Sequence, residues 1–201
     1  MLISVGHQAG EARATEGESG LPTQQGDEQR LVREAKDGSS AAMAGLYSLH
    51  WRGAYRAAYL VVHDAAAAED IAQDAFLAAV EALDRFDRRR PFRPWLHRIV
   101  VNRALDWARH EALRHKVDGA ESVFEPLPPP EEIGGEMIAA VKALPAEQRA
   151  VVVLRHLLEY TPGEIARMLD LPRGTVNSRL RRGLDRLREA AEAEAAAEGR
   201  R

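Results

Sequence analysis

Arginine, asparagine and serine side chains recur between residues 173 and 188, where their spacing predicts the outward face of a helix. The polar residues of this face are Asn177, Ser178, Arg181, Arg182 and Asp185. An arginine guanidinium can donate two hydrogen bonds to guanine, and an asparagine amide can pair with adenine. Residues 161–188 carry seven arginines against three acidic residues, a net charge of +4. These features favour base reading in DNA, although an ordinary helical hairpin with a solvated basic face would share them.

Two short helices joined by a tight turn are predicted to hold these side chains. Thr161 and Glu164 fit the capping box that starts a helix. Pro172 ends this helix, because proline lacks an amide proton and restricts the residue before it. A second helix is predicted to open near Arg173. Its expected buried face consists of Val176, Leu180, Leu184 and Leu187. This is the helix-turn-helix plan, whose second helix enters the major groove of DNA.

A second basic segment lies between residues 85 and 116, with ten arginines or lysines against three acidic residues, a net charge of +7. It comprises a loop over residues 84–91 and a helix that starts near Phe92. Its aromatic residues are Phe86, Phe92, Trp95 and Trp107. Cations follow phosphates and aromatic rings stack on unpaired bases, so the segment is a second candidate nucleic-acid surface. The aromatic rings could instead belong to the core, and we expect Phe92 and Trp95 to be at least partly buried.

Three helices are predicted before this segment. Asp27 is expected to cap the first, and the second runs from about residue 40 to residue 63. Its apolar and aromatic side chains are read as core: Met43, Leu46, Tyr47, Leu49, Trp51, Tyr55, Tyr59 and Leu60. Asp64 is expected to cap the third helix, whose outward face carries Glu69, Asp70, Gln73 and Asp74. An acidic face of this kind is either solvated or docked on a basic partner.

The composition of the 201 residues argues against several functions. The net charge is −3, so any affinity for nucleic acid must come from local patches. The absence of cysteine excludes disulfides and thiolate zinc sites, and His110 and His115 do not share a helical face, which disfavours any metal site. No nucleophile elbow or phosphate-binding loop is present, so we expect no catalytic residues and no cofactor. No membrane span or signal peptide is recognised, and we expect a soluble cytoplasmic protein without membrane insertion.

Composition divides the chain into two helical domains. Residues 1–25 are predicted to form a flexible arm, and residues 117–135 a flexible linker rich in proline and glutamate. The expected fold is all-α, with small helical domains over residues 26–116 and 136–190 and a helix-forming tail over residues 191–201.

Three segments together resemble regions 2 and 4 of the extracytoplasmic-function (group IV) sigma factors of bacterial RNA polymerase, within the sigma-70 family. These segments are DAAAAEDIAQDAFLAAVEALDRFD, RPFRPWLHRIVVNRALDWAR and LPAEQRAVVVLRHLLEYTPGEIARMLDLPRGTVNSRLRRGLDRLR. They occur in the order of that family over residues 27–190, with a linker between the two regions. The resemblance implies a promoter-specificity subunit without catalytic residues of its own.

The resemblance also implies roles for individual residues. Binding to core RNA polymerase, through the coiled coil of its β′ subunit, falls to Glu69, Asp70, Gln73 and Asp74. Melting and capture of the −10 element fall to Phe86, Arg88, Arg89, Arg90, Trp95, Arg98, Asn102, Arg103 and Arg109. Recognition of the −35 element falls to Arg173, Thr175, Asn177, Ser178, Arg181 and Arg182. Further implied partners are the polymerase β flap, promoter DNA and an anti-sigma factor.

A stand-alone helix-turn-helix regulator is the competing interpretation. Such a protein would need a receiver or ligand-binding domain in its N-terminal half. The strands or pocket expected of that domain are not visible in the sequence.

Overall fold

Eight α-helices and no strand are found in residues 24–118 and 135–198, the part of the chain that this computed structural model describes. The helices are α1 (Gln24–Lys36), α2 (Ser40–Val62), α3 (Ala65–Ala82), α4 (Phe92–Asp118), α5 (Gly135–Lys142), α6 (Ala146–Val152), α7 (Pro162–Leu169) and α8 (Arg173–Glu198). Residues 1–23 of the predicted arm, most of the predicted linker and the end of the tail lie outside the described residues, and the last two residues of the predicted arm belong to α1. Within those residues the all-α prediction is confirmed. None of the described helices is both long and apolar enough to cross a membrane.

Helices α1 to α4 form an N-terminal bundle around α2. Its core is rich in alanine, and Ala54, Ala58 and Ala72 are fully buried. Small side chains at these positions allow α2, α3 and α4 to approach one another closely. The carboxylate of Asp64 accepts a hydrogen bond from the Ala67 amide at 2.8 Å, which confirms the predicted cap of α3.

Two predictions for this bundle are wrong. Asp27 does not cap α1, because α1 begins at Gln24 and Asp27 lies in its first turn. Tyr47 and Leu49 are not core residues, since they remain 41% and 48% exposed. They flank the stripe of α2 that faces the core. The neighbouring helices cover this stripe but leave the side chains on either side of it exposed.

Helices α5 to α8 form a C-terminal bundle with the predicted helix-turn-helix. Thr161 and Glu164 make both hydrogen bonds of the capping box at the start of α7. The chain leaves α7 through Asp170, whose φ of 53° lies in the left-handed region, and α8 starts directly after Pro172. Val176 is fully buried, so α8 is held against the rest of the bundle by its predicted face.

Leu184 was predicted to lie on the buried face of α8, but Gly183 lies there instead. Leu184 is 37% exposed, whereas Gly183 is buried against α6. The reason is geometric, because a helix returns to the same face after three or four residues and the observed stripe follows Val176, Leu180 and Gly183. A Cβ atom at Gly183 would lie 2.8 Å from a methyl carbon of Val152. The glycine therefore allows α6 and α8 to pack closely.

Replacing Gly183 by alanine is expected to lower the free energy of unfolding by about 1 kcal/mol, because the steric cost of overpacking exceeds the gain in helix propensity. Urea unfolding followed by circular dichroism measures this change. Gly174→Ala is the matched control in the same helix, since a Cβ atom added there would meet no neighbouring side chain within 4 Å. It should be neutral or stabilising. Equal effects of the two variants would contradict the packing role of Gly183.

The two bundles touch each other, which the sequence did not indicate. Helix α4 of the N-terminal bundle packs against α6 and α7, and α2 packs against α5 and α6. The guanidinium of Arg149 on α6 donates a hydrogen bond to the Val61 carbonyl at 2.5 Å. It also donates to the carbonyls of Lys142 and Leu144 within its own bundle. Arg149 thus ties the ends of two helices from different bundles.

Candidate nucleic-acid interface

The first three turns of α8 present the side chains that were predicted to read the −35 element. Arg173, Asn177, Arg181 and Arg182 are exposed, and Thr175 and Ser178 are half-buried. The Ser178 hydroxyl donates a hydrogen bond to the Thr175 carbonyl at 2.9 Å. Arg182 donates through Nε to the Ser178 carbonyl at 3.2 Å. This cluster is accessible from solvent, and the contacts of Arg182 are weak enough to be exchanged for others.

The orientation of α8 is fixed by α7 and its cap. The Glu164 carboxylate accepts a hydrogen bond from the Thr161 amide at 2.8 Å and another from the Thr161 hydroxyl at 2.6 Å. Hydrogen bonding to the Thr161 hydroxyl and amide lowers the pKa of Glu164, so the carboxylate stays charged at neutral pH. Ile165 and Val176 are fully buried between the two helices. The start of α8 is therefore held on a rigid support.

Arg88, Arg89 and Arg90 are exposed in the loop that precedes α4. The Asp87 carboxylate accepts a hydrogen bond from the Arg89 amide at 3.0 Å and shapes this turn. Lys36 of α1 donates to the Phe86 carbonyl at 2.9 Å and anchors the start of the loop. Three cations are thus presented together on a turn that is tied to the bundle.

Phe86 lies beneath this loop and not on its surface. Its side chain is only 5% exposed, and its ring centroid is 4.6 Å from that of Trp95 and 5.7 Å from that of Phe92. Trp95 is half-buried and Phe92 is buried, as the sequence analysis expected. In this arrangement Phe86 supports the loop, and Trp95 has the more accessible ring.

Glu28 of α1 caps the first turn of α4 from a distance. Its carboxylate accepts a hydrogen bond from the Phe92 amide at 2.8 Å and lies 3.3 Å from Nε2 of His50. The adjacent His50 imidazole, followed by the hydrogen bond from the Phe92 amide, lowers the pKa of Glu28 despite its burial. Glu28 was not predicted from the sequence, because no local motif links positions 28 and 92.

Four of the predicted −10 residues share one face of α4. They are Trp95, Arg98, Asn102 and Arg109. This face points toward the C-terminal bundle. Asn102 donates a hydrogen bond to the Met168 carbonyl at 3.2 Å, and Arg109 forms an ion pair with Glu147 at 3.3 Å. Arg103 projects from a different side of α4 and lies 3.5 Å from the carboxylate of Asp74.

The predicted polymerase-binding face of α3 is solvent-accessible. Glu69, Asp70, Gln73 and Asp74 are all exposed. Leu77 and Val80 continue this face and are 60% and 42% exposed. A groove of about 300 Å³ between α2 and α3 runs beside them. No role was predicted from the sequence for Leu77 or Val80, although exposed apolar side chains beside an acidic face are typical of a protein-binding surface.

A buried polar contact between the bundles was also missed. The Tyr160 hydroxyl and Nδ1 of His97 are hydrogen-bonded at 2.9 Å, and both side chains are buried. Burial, with smaller contributions from Arg93 and His50, lowers the pKa of His97 to about 3. Burial raises the pKa of Tyr160 to about 12. Both groups are therefore neutral at physiological pH, and the contact is an uncharged hydrogen bond in an apolar setting.

No group of three or more histidine, cysteine, aspartate or glutamate side chains in residues 24–118 and 135–198 is arranged to hold a metal ion.

Comparison with known proteins identifies the family. Residues 46–114 match the family model for Sigma-70 region 2, and residues 135–187 match that for Sigma-70 region 4. The ECF RNA polymerase sigma factor SigW of Bacillus subtilis (strain 168) is 30% identical over 176 residues, which cover 80% of this chain and 94% of SigW. The chain belongs to the ECF RNA polymerase sigma factors. Sigma factors are specificity subunits of RNA polymerase that direct promoter-specific initiation, and they are not enzymes themselves.

Other relatives agree with this assignment. The ECF sigma factor SigM of Mycobacterium tuberculosis (strain ATCC 25618 / H37Rv) is 35% identical to this sigma factor over 152 residues, covering 75% of this chain and 77% of SigM. The solved structure of CnrH in complex with the cytosolic domain of CnrY superposes with a TM-score of 0.61 at 27% identity, covering 83% of this chain and 98% of CnrH. RpoE of Bartonella quintana, solved with the anti-sigma factor NepR, also gives a TM-score of 0.61, at 22% identity over 73% of this chain and 94% of RpoE. The fold of this sigma factor is therefore that of its family.

Proposed function

We propose that this sigma factor directs promoter-specific initiation through three surfaces, one for core polymerase and two for promoter DNA. The acidic face of α3 docks on the coiled coil of the polymerase β′ subunit. The arginine-bearing loop and α4 capture the −10 element as single-stranded DNA, and the start of α8 reads the −35 element while the C-terminal bundle contacts the β flap. The chain acts in the cytoplasm, where its polymerase transcribes, and needs no metal or cofactor.

The accessible arginine and asparagine cluster of α8 is the observation that carries this proposal. Asn177, Arg181 and Arg182 are exposed at the start of a helix whose other face is buried. A tight turn after α7 precedes this start, so its N-terminal turns are free to enter a major groove. An arginine guanidinium or an asparagine amide can form two hydrogen bonds with the edge of one base. Such a pair of bonds reads the base sequence, whereas a contact with a phosphate does not.

The −10 assignment is supported by charge and ring placement. Arg88, Arg89 and Arg90 provide cations for phosphates next to the partly exposed ring of Trp95. A base taken out of the DNA stack costs a few kcal/mol, and stacking on an aromatic ring recovers part of this cost. The side chains at the start of α4 thus suit capture of an unpaired strand.

We further propose that an anti-sigma protein binds this chain. CnrH, whose fold and sequence are similar, was solved with the cytosolic domain of CnrY bound to it. The exposed side chains of Leu77 and Val80 offer apolar surface of the kind that protein partners cover.

Replacing Arg182 by alanine is expected to weaken binding of the polymerase complex to its −35 element by about 1–3 kcal/mol, if the guanidinium forks onto a base. Gel-shift titrations on promoters with single base changes measure this loss. Arg188→Ala is the matched control, because Arg188 is exposed two turns further along α8 and pairs with Asp185. An equal loss on every sequence would show that Arg182 contacts only phosphate.

Abortive transcription with purified bacterial core polymerase tests the function directly. The full chain should allow the core enzyme to make short transcripts from promoter fragments selected out of genomic DNA. Core polymerase without the chain is the control. Promoter binding without any initiation would instead indicate a stand-alone regulator, and would contradict the proposal.

A further inference from the structure

A charged pocket of about 360 Å³ opens between the end of α1 and the loop that precedes α4. Cations outnumber carboxylates in the lining of this α1–loop pocket: Arg33, Lys36, Arg88 and Arg89 stand against Asp37 and Asp87. The pocket has the size of a small-ligand site, but sites for uncharged ligands are mostly lined by apolar side chains. The surplus of cations favours an anionic ligand.

The walls of the α1–loop pocket are held by contacts that leave most of its cations available. The Lys36 ammonium donates a hydrogen bond to the Phe86 carbonyl at 2.9 Å, which joins the end of α1 to the start of the loop. The Asp87 carboxylate accepts a hydrogen bond from the Arg89 amide at 3.0 Å, and it lies 3.8 Å from Nε of Arg90. The pocket is therefore already formed, and a ligand does not have to order it.

The guanidinium groups of Arg33 and Arg88 are exposed and have no acidic partner in the described part of the chain. Arg30, one turn earlier in α1, instead pairs with Asp27 at 3.8 Å and with Glu34 at 3.3 Å. Cations in the last turn of a helix stabilise its dipole wherever they point, so that role does not require α1 and the loop to share one pocket. A guanidinium can donate two parallel hydrogen bonds to a phosphate, which makes this anion a suitable ligand.

Phe86 places the α1–loop pocket next to the ring that is proposed to stack on an unpaired base. Its side chain lines the pocket, and its ring centroid lies 4.6 Å from that of Trp95. A nucleotide whose base stacks on Trp95 has a phosphate on each side of its sugar. The pocket is placed to receive one of these phosphates.

We propose that the α1–loop pocket binds a backbone phosphate of the single strand that the arginine-bearing loop and α4 capture. Arg33 and Lys36 of α1 thereby act together with the arginines of the loop. This proposal rests on the proposed assignment of the loop to the −10 element, and it adds α1 to the surface that binds DNA. Phosphate contacts carry no sequence information, so the pocket contributes affinity and position and not base preference.

Replacing Arg33 by glutamine tests the proposal, because it removes one cation and leaves the hydrogen bond of Lys36 in place. Binding of the full chain to a fluorescein-labelled pool of random-sequence single-stranded oligonucleotides is measured by fluorescence anisotropy at several salt concentrations. One phosphate contact steepens the fall of log affinity with log salt by about 0.7 for a single strand. We therefore expect Arg33→Gln to weaken binding about eightfold at about 0.05 M salt and about threefold at about 0.2 M salt.

Arg30→Gln is the matched control. Arg30 carries the same charge on the same helix, but it is paired with two carboxylates and does not line the pocket. This variant should keep the salt dependence of the parent chain, and so should Arg33→Lys, which retains the cation. An unchanged salt dependence in Arg33→Gln, or equal losses in Arg30→Gln and Arg33→Gln, would overturn the proposal.

Nuclear magnetic resonance identifies the source of the phosphate. In the isotope-labelled full chain, the Nε–Hε signal of Arg33 is assigned by its absence from Arg33→Gln. This signal should shift on titration with a short thymidine oligonucleotide. Guanosine triphosphate is the second probe, because a free nucleotide offers phosphates without a neighbouring strand. The oligonucleotide should act at the lower phosphate concentration, and a stronger response to the nucleotide would overturn the proposal in favour of a nucleotide site.

Failure of the proposed function is separately visible in the variant Trp95→Leu. Loss of base stacking should weaken binding of the oligonucleotide pool about fivefold or more. Weaker binding by Arg33→Gln with no loss in Trp95→Leu would contradict base capture at this surface but not phosphate binding in the pocket. A loss in Trp95→Leu alone would overturn the pocket and leave the −10 assignment in place.

Discussion

Replacing Glu69 and Asp70 together by lysine is expected to weaken the binding of this sigma factor to core RNA polymerase by at least about a hundredfold. Both side chains are exposed on α3, so the substitution leaves the core of the bundle intact. The proposed partner surface is basic, and placing like charges against each other costs several kcal/mol. Biolayer interferometry with immobilised core polymerase measures the loss, which should appear in both association and dissociation rates.

The matched control uses the last turn of α3 and the short turn that follows it. Glu81 and Asp84 are also exposed, and their replacement by lysine changes the net charge by the same amount. This second variant should bind core polymerase within about threefold of the parent chain, since distant surface charges are screened by salt. Equal losses in the two variants would show that overall charge, and not the face around Asp70, governs binding.

Acidification from pH 6.5 to about pH 4.5 is expected to lower the free energy of unfolding by about 2–3 kcal/mol through His97 alone. The pKa of His97 is about 3 in the folded chain and 6.5 in the unfolded chain. Below pH 6.5, His97 therefore binds a proton in the unfolded chain but not in the folded chain, and the free energy of unfolding falls. His63, whose pKa is lowered to about 4 mainly by burial, contributes in the same direction. Urea titrations at several pH values measure the slope.

The variant His97→Gln separates this effect from the titration of carboxylates. It should be less stable than the parent chain at neutral pH but should lose about 2–3 kcal/mol less over the same pH range. Nuclear magnetic resonance of labelled histidine provides a direct reading. A midpoint for His97 near 6.5 in the folded chain would contradict the burial that the structure shows.

Local sequence signals accounted for much of the fold. The cap at Asp64, the capping box of Thr161 and Glu164, and the break at Pro172 each depend on residues within four positions of one another. Such signals do not depend on tertiary contacts, so they can be recognised from the local amino-acid sequence alone. The placement of Asn177, Arg181 and Arg182 on the exposed face of α8 followed from the same patterns.

Features that depend on distant partners were not predicted. The carboxylate of Glu28 caps α4 across 64 positions, and Arg149 reaches the Val61 carbonyl across 88. Every residue has a backbone carbonyl, so the amino-acid sequence does not indicate which carbonyl a distant side chain binds. Gly183 was overlooked for a related reason, because a missing side chain on a buried face is visible only when the opposing helix is known.

The long-range cap by Glu28 has a consequence for anyone who shortens this protein. The match to the region 2 family begins at residue 46, ten residues after α1 ends. A fragment cut to that boundary would lose both the carboxylate that holds the Phe92 amide and the Lys36 ammonium that holds the Phe86 carbonyl. The ends of the arginine loop would then be released together, so a truncation chosen by family boundaries would loosen the surface that it was meant to isolate.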